Sequence, residues 1–106
     1  MKLVSSVYNL TRTFPKEEVY ALTSQIRRSA VSIPSSIAEG AGRNSEKEFI
    51  NLLSISYGST CELETQILIA KDLNYIKKEE SDMIIEELYQ IQKMIYKLKE
   101  KLINNR

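Results

Sequence analysis

The sequence has no histidine and no tryptophan, and only one cysteine, two prolines and three glycines. Each scarcity excludes something. Without histidine the chain lacks the commonest general base and the commonest metal ligand. A single cysteine forms neither an internal disulfide nor a cysteine-cluster metal site, which fits a reducing, cytoplasmic setting. So little glycine and proline excludes collagen-like, linker-like and turn-rich all-β chains. No apolar run approaches the ~20 residues of a membrane span. The opening Met1-Lys2-Leu3-Val4-Ser5-Ser6 lacks the apolar stretch of a secretion signal. No membrane partner and no cofactor are therefore expected.

What remains is a chain of 106 residues, 42% apolar and 27% charged, which suits one soluble globular domain spanning residues 1–106. The net charge of +1 hides an uneven distribution. Residues 1–44 carry six Lys or Arg against three Glu, a net +3, whereas residues 45–73 carry two against five, a net −3. A dedicated nucleic-acid binder usually shows a stronger basic excess than the whole chain does.

Four segments have helical periodicity and none has the alternation of a strand. In the first, Leu3, Val7, Leu10 and Phe14 recur at spacings of 4, 3 and 4. Pro15 is expected to open the second helix, with Glu17 and Glu18 at its positive dipole end. Leu22, Ile26, Ala30, Ile33, Ile37 and Ala41 then keep one apolar phase straight through Pro34. Proline inside a helix lacks an N–H and crowds the carbonyl four residues back, here that of Ala30. The unbroken phase predicts one helix from Pro15 to Ala41 kinked at Pro34, with serines 29, 32, 35 and 36 supplying hydroxyls at the kink. A full break at Ser32–Pro34 is the alternative.

Gly40 and Gly42 are expected to end that helix in the left-handed conformation. Ser45 with Glu48 three residues on reads as a capping box opening helix three. Phe49, Leu52, Ser56, Leu63, Ile67 and Ala70 line one face of it, and Ile50, Leu53, Tyr57, Cys61 and Leu68 form a second stripe. Helix three is thus apolar on more than one side, and Asn74 is its expected stop. From about Lys78 to Ile103, Ile84, Leu88, Ile91, Ile95, Leu98 and Leu102 make the seam of an antiparallel bundle. The second half of that helix is basic, with Lys93, Lys97, Lys99 and Lys101 followed by Arg106. Short loops between long helices force antiparallel neighbours, so an all-α, up-down-up-down four-helix bundle is predicted. Helices two to four would each run roughly 39 Å and helix one roughly 20 Å at 1.5 Å per residue. Either an N-terminal extension or a partner surface is expected to cover the remaining groove.

No catalytic constellation is present. The glycines of Gly40-Ala41-Gly42-Arg43 lie at a helix C-terminus, without the preceding strand or the Gly-Lys-Ser/Thr ending of a phosphate-binding loop. Ser35 and Ser36 have no base in register. Paired glutamates such as Glu62 and Glu64 lack the histidines of a di-metal bundle. Cys61 sits in an apolar stripe with no cationic neighbour and is expected to be a buried, inert thiol. The six tyrosines suit core or interface packing better than base stacking. The sharpest polar features are Arg27, Arg28, Arg43 and Lys47. They suit phosphate contact, or else structural pairing: one arginine with Glu62 or Glu64, and Arg43 with Glu39 four residues back.

The run from Leu22 to Arg43, LTSQIRRSAVSIPSSIAEGAGR, followed by Lys47-Glu48-Phe49 and Glu62-Leu63-Glu64-Thr65-Gln66, closely resembles a known signature. It is that of the bacterial four-helix-bundle proteins encoded within intervening sequences of 23S ribosomal RNA genes. The resemblance covers Val7 to about Leu102. That family is similar to accessory proteins of diversity-generating retroelements, which form homopentameric rings and bind nucleic acid and a reverse transcriptase. The resemblance implies a homo-oligomer, five copies being the expected count. It also implies that an N-terminal stretch, commonly with a tryptophan, precedes the residues present here. The expectation for function is a non-enzymatic binding or scaffold module that self-assembles through the second stripe: Ile50, Tyr57, Cys61 and Leu68. An unidentified protein partner fits the same expectation. The alternative is an oligomer that binds RNA or DNA through Arg27, Arg28, Arg43 and Lys47.

Overall fold

The computed structural model describes residues 2–104, and within them every regular element is helical. α1 spans Lys2–Thr11, α2 Leu22–Ala41, α3 Glu46–Asp72 and α4 Lys78–Asn104, with a 3-10 turn at Lys16–Glu18 before α2. α1 packs on α2 and α4, and α3 packs on α2 and α4, with no diagonal contacts among the described residues. That is the neighbour pattern of an up-down-up-down bundle, here 48 Å long and 24 by 18 Å across.

The core follows the apolar phases. Leu3 and Val7 of α1, Leu22, Ile26, Ala30 and Ile33 of α2, Leu63, Ile67 and Ala70 of α3, and Ile84 and Leu88 of α4 form one buried cluster. Phe14 and Ile76 close its loop end, where the Phe14 and Tyr75 rings lie 5.4 Å apart. Thr11 meets Arg27, so from there α1 reaches back only about 14 Å along α2, to a first residue, Lys2, near the level of Ser36. Beyond that level α2, α3 and α4 continue, and no other helix packs on them among the described residues. Leu53 and Ile95 are still buried there, but Ile37, Phe49, Leu52, Leu98 and Leu102 are only half-buried.

The helix boundaries correct two expectations. α2 does not begin at Pro15: residues 12–21 form a connection whose 3-10 turn positions Glu18 to accept from the Leu22 backbone N–H, at 3.5 Å, and from the Tyr75 hydroxyl, at 2.7 Å. Tertiary bonding of Glu18 thus replaces a helical first turn. α2 does continue unbroken through Pro34. Among the described residues, however, no serine hydroxyl of α2 donates to the Ala30 carbonyl. Serines of both helices instead tie α2 to α3: Ser56 of α3 donates to the Ile33 carbonyl at 2.9 Å, and Ser32 of α2 shares a 2.9 Å bond with Ser59 of α3.

Neither Gly40 nor Gly42 is left-handed, since no glycine has a positive φ and Gly42 lies at φ −84°. Gly40 is required for space. A Cβ there would stand 2.8 Å from Phe49 Cδ1 and 3.1 Å from Leu52 Cβ, so the missing side chain lets α2 and α3 approach closely. The left-handed stop belongs to Asn74, at φ 64°. Its N–H donates to the Lys71 carbonyl and that of Tyr75 to the Ala70 carbonyl, both at 2.9 Å, which is the Schellman arrangement. At the other end of α3, Ser45 caps the helix by accepting from the Glu48 N–H at 3.3 Å.

Candidate functional site

The four basic candidates divide into two pairs. Arg27 and Arg28 lie in the N-terminal half of α2. Arg43 and Lys47 flank the α2–α3 loop, about 20 Å farther along the helix at 1.5 Å per residue. Within one chain they form no single patch.

Two of the four are also occupied. Arg27 donates from Nε to Thr11 Oγ1 at 2.9 Å, and its guanidinium stacks over the Tyr8 ring at 4.7 Å from the centroid. It thus joins α2 to α1 and does not pair with Glu62 or Glu64 within the chain. Arg43 pairs with Glu39 at 2.6 Å, the i, i+4 partner expected from the sequence. That bond, with the nearby Glu39 and Glu48 charges, holds the guanidinium above its ordinary pKa. Arg28 and Lys47 are exposed and carry no ion pair among the described residues.

The second stripe of α3 also divides. Leu53 is fully buried, as are Ser56, Thr60, Leu63, Ile67 and Ala70, and together they set the direction of the core. Cys61 and Leu68 are exposed and Ile50 is half-buried, on the flank of α3 beside Tyr57, where Gln92 Nε2 of α4 lies 3.9 Å from Cys61 Sγ. Cys61 is a correction. It is a free, exposed cysteine and not a buried thiol, because the neighbouring Thr60 takes the inward position and receives Gln92 of α4 at 3.0 Å. Tyr57 turns toward α4 and lines the α3–α4 seam.

The outer face of α3 is more apolar than the stripe alone suggests. Ile55 is 47% exposed, Ile69 43% and Leu73 48%, and between the first two lies Gly58, around which a Cβ would find nothing within 4 Å. A glycine in the middle of an exposed helix costs roughly 1 kcal/mol relative to alanine. No contact within the chain accounts for it.

A further surface was not legible in the sequence. Tyr8, Val19, Tyr20 and Val31 are exposed beside Arg27 and Arg28, and Tyr20 projects almost wholly into solvent, at 96%. The one available signal was the Val19-Tyr20 pair just before α2. No three acidic or cysteine side chains converge as a metal set among the described residues. No described helix is long and apolar enough to cross a membrane.

Comparison with known proteins fits this architecture. A solved structure of a protein with unknown function from the S23 ribosomal protein family of Bacteroides thetaiotaomicron superposes with a TM-score of 0.85. It is 24% identical, with 92% of each chain covered, and so supports the four-helix fold. No curated protein matches the sequence. The family model of the 23S rRNA-intervening sequence proteins matches residues 1–97, and the chain belongs to that family.

Proposed function

We propose that this member of the family is a non-enzymatic, cytoplasmic binding or scaffold module that works as a self-assembled homo-oligomer. The observation that carries the proposal is the outer side of α3, where Ile55, Leu68 and Ile69 are exposed beside the open Gly58, with Glu62 between Ile55 and Ile69. Such a face is costly in water and fits close approach by another helix. Charge supports a second copy as the occupant. The α3 segment is net −3 and carries Glu62 and Asp72 on exposed positions, whereas the first 44 residues are net +3. The surface at the start of α2 sets Val19 and Tyr20 of the preceding connection and Val31 of α2 beside Arg27 and Arg28. Two different faces meeting head to tail generate a ring when the rotation closes. Five copies, the count that the resemblance implies, is the working number.

Light scattering on the eluted protein tests this directly. The expected mass is several times 12.2 kDa, and Ile69→Glu should reduce it toward that of one chain. A wild-type mass of one chain at micromolar concentration overturns the proposal.

The second reading, RNA or DNA binding through Arg28 and Lys47 with Arg27 and Arg43, is favoured by the exposure of the first two. Multiplying copies around a ring would gather them into one basic surface. Phosphate-driven binding should weaken steeply with salt, and Arg28→Ala should reduce that slope.

A further inference from the structure

Antiparallel packing of α3 and α4 assembles a groove whose parts lie 32 to 40 residues apart in the sequence. It encloses about 380 Å³ and is lined by Tyr57 of α3 and by Tyr89, Gln92, Lys93, Tyr96 and Lys97 of α4. Register explains the convergence. Gln92 reaches Thr60 at 3.0 Å and Tyr89 reaches Glu64 at 3.4 Å, so the same antiparallel stagger sets Tyr57 opposite Tyr96. Tyr89 and Tyr96, seven residues apart, share one face of α4 and are separated by about 10 Å along its axis.

The three rings are partly open to solvent, with Tyr57 37%, Tyr89 44% and Tyr96 61% exposed. Lys93 and Lys97 stand one turn apart on the flank of this tyrosine pair, both exposed and neither in an ion pair among the described residues. Gln92 is half-buried on the floor and already bonded to Thr60. Glu64 lies beside one end of the groove, where it accepts from the Tyr89 hydroxyl at 3.4 Å, and the exposed Glu100 follows Lys97 by three residues on α4.

We propose that this groove binds single-stranded nucleic acid, with bases stacking on Tyr57, Tyr89 and Tyr96 and phosphates meeting Lys93 and Lys97. The chemistry selects the ligand. Aromatic faces beside unpaired cations suit a flexible polyanion whose bases are free to stack. A duplex keeps its bases stacked on each other and offers tyrosine rings nothing to cover. An acidic peptide would use the lysines but leave the rings without flat partners. The groove lies toward α4, apart from Ile55 and Ile69, and names a site other than the arginine surface.

The test uses the full-length protein and a labelled oligouridylate, followed by fluorescence anisotropy, with an RNA duplex of equal length as comparison. Intrinsic emission adds a second readout, because the chain has no tryptophan and three of its six tyrosines line the groove. The single strand should bind more tightly than the duplex and quench tyrosine emission. Tyr96→Ala should weaken binding roughly 5- to 100-fold, the effect typical of losing one stacked base. Lys93→Gln with Lys97→Gln should reduce the salt slope by about 1.4, at ~0.7 per phosphate on a single strand. Lys78→Gln, toward the opposite end of α4, should leave both measures unchanged, whereas loss with Arg28→Gln would assign the binding to the arginine surface instead. Retained far-UV dichroism of Tyr96→Ala, an exposed position, secures the comparison. Absence of binding, preference for the duplex, equal loss with Arg28→Gln, or displacement by polyglutamate as efficient as by unlabelled strand would each overturn the proposal.

Discussion

Gly40 and Gly58 are both helical glycines, and replacing each by alanine should have opposite consequences. Alanine gains roughly 1 kcal/mol over glycine in a helix interior, mainly because the unfolded chain loses freedom. At Gly58 a Cβ meets nothing within 4 Å, so the whole gain should appear. At Gly40 the same atom stands 2.8 Å from Phe49 Cδ1 and 3.1 Å from Leu52 Cβ. The Phe49 ring is half-buried and has room to rotate, but Leu52 Cβ is anchored to the α3 backbone, so α2 and α3 must separate. Overpacking of this kind costs about 1–3 kcal/mol, which cancels or outweighs the propensity gain. The two variants should therefore differ by about 1–3 kcal/mol. For a domain of this size that is a Tm difference of roughly 4–20 °C. Thermal unfolding followed by far-UV dichroism measures it, at the lowest workable concentration so that mass action from self-association does not contribute. Equal stabilisation by Gly40→Ala and Gly58→Ala would refute the close approach of α2 and α3 at Gly40.

Arg27→Ala should destabilise the bundle by about 1–2 kcal/mol, through loss of the Thr11 bond and the stack on Tyr8, whereas Arg28→Ala should change stability by less than about 0.5 kcal/mol. Urea titration of the two variants checks the contrast, and equal effects would contradict the placement of Arg27. Tyr75 donates to Glu18, and that bond, with burial and the Glu18 charge, raises the phenol pKa above its ordinary value near 10. Because the folded pKa is the raised one, this stabilisation is full below pH ~10 and is lost as pH rises through the folded value. Tyr75→Phe should therefore flatten the alkaline fall in stability, and an unchanged alkaline limb would show the bond does not matter. Pro34→Ala restores the missing N–H opposite the Ala30 carbonyl and should raise stability by about 1–3 kcal/mol. A lower melting temperature would mean that the local geometry depends on proline.

The sequence alone determined the helices and their order. Apolar residues at spacings of 3 and 4 leave few ways to bury a face, and Ser45 and Asn74 supply local chemistry that ends or starts a helix wherever it is placed. The i, i+4 pair of Arg43 and Glu39 was legible for the same reason, since both partners lie on one helix. Whatever depended on a second helix was decided by the fold. Gly40 reads in one dimension as a stop and in three as a gap that Phe49 and Leu52 fill. Glu18 reads as a first-turn acid and proves to be the acceptor for Tyr75, 57 residues away. Cys61 shares an apolar stripe with Leu53, yet one is exposed and the other buried, because the stagger of α4 sets Cys61 at the open rim of the seam, 3.9 Å from Gln92, and leaves Leu53 inside. The tyrosine–lysine groove has the same origin. Tyr89, Lys93, Tyr96 and Lys97 share a helix and so a visible pattern, but Tyr57 joins them only through the stagger of α3 against α4. Periodicity fixes which face of a helix is apolar, whereas the distance and register between helices are set by side chains meeting across them.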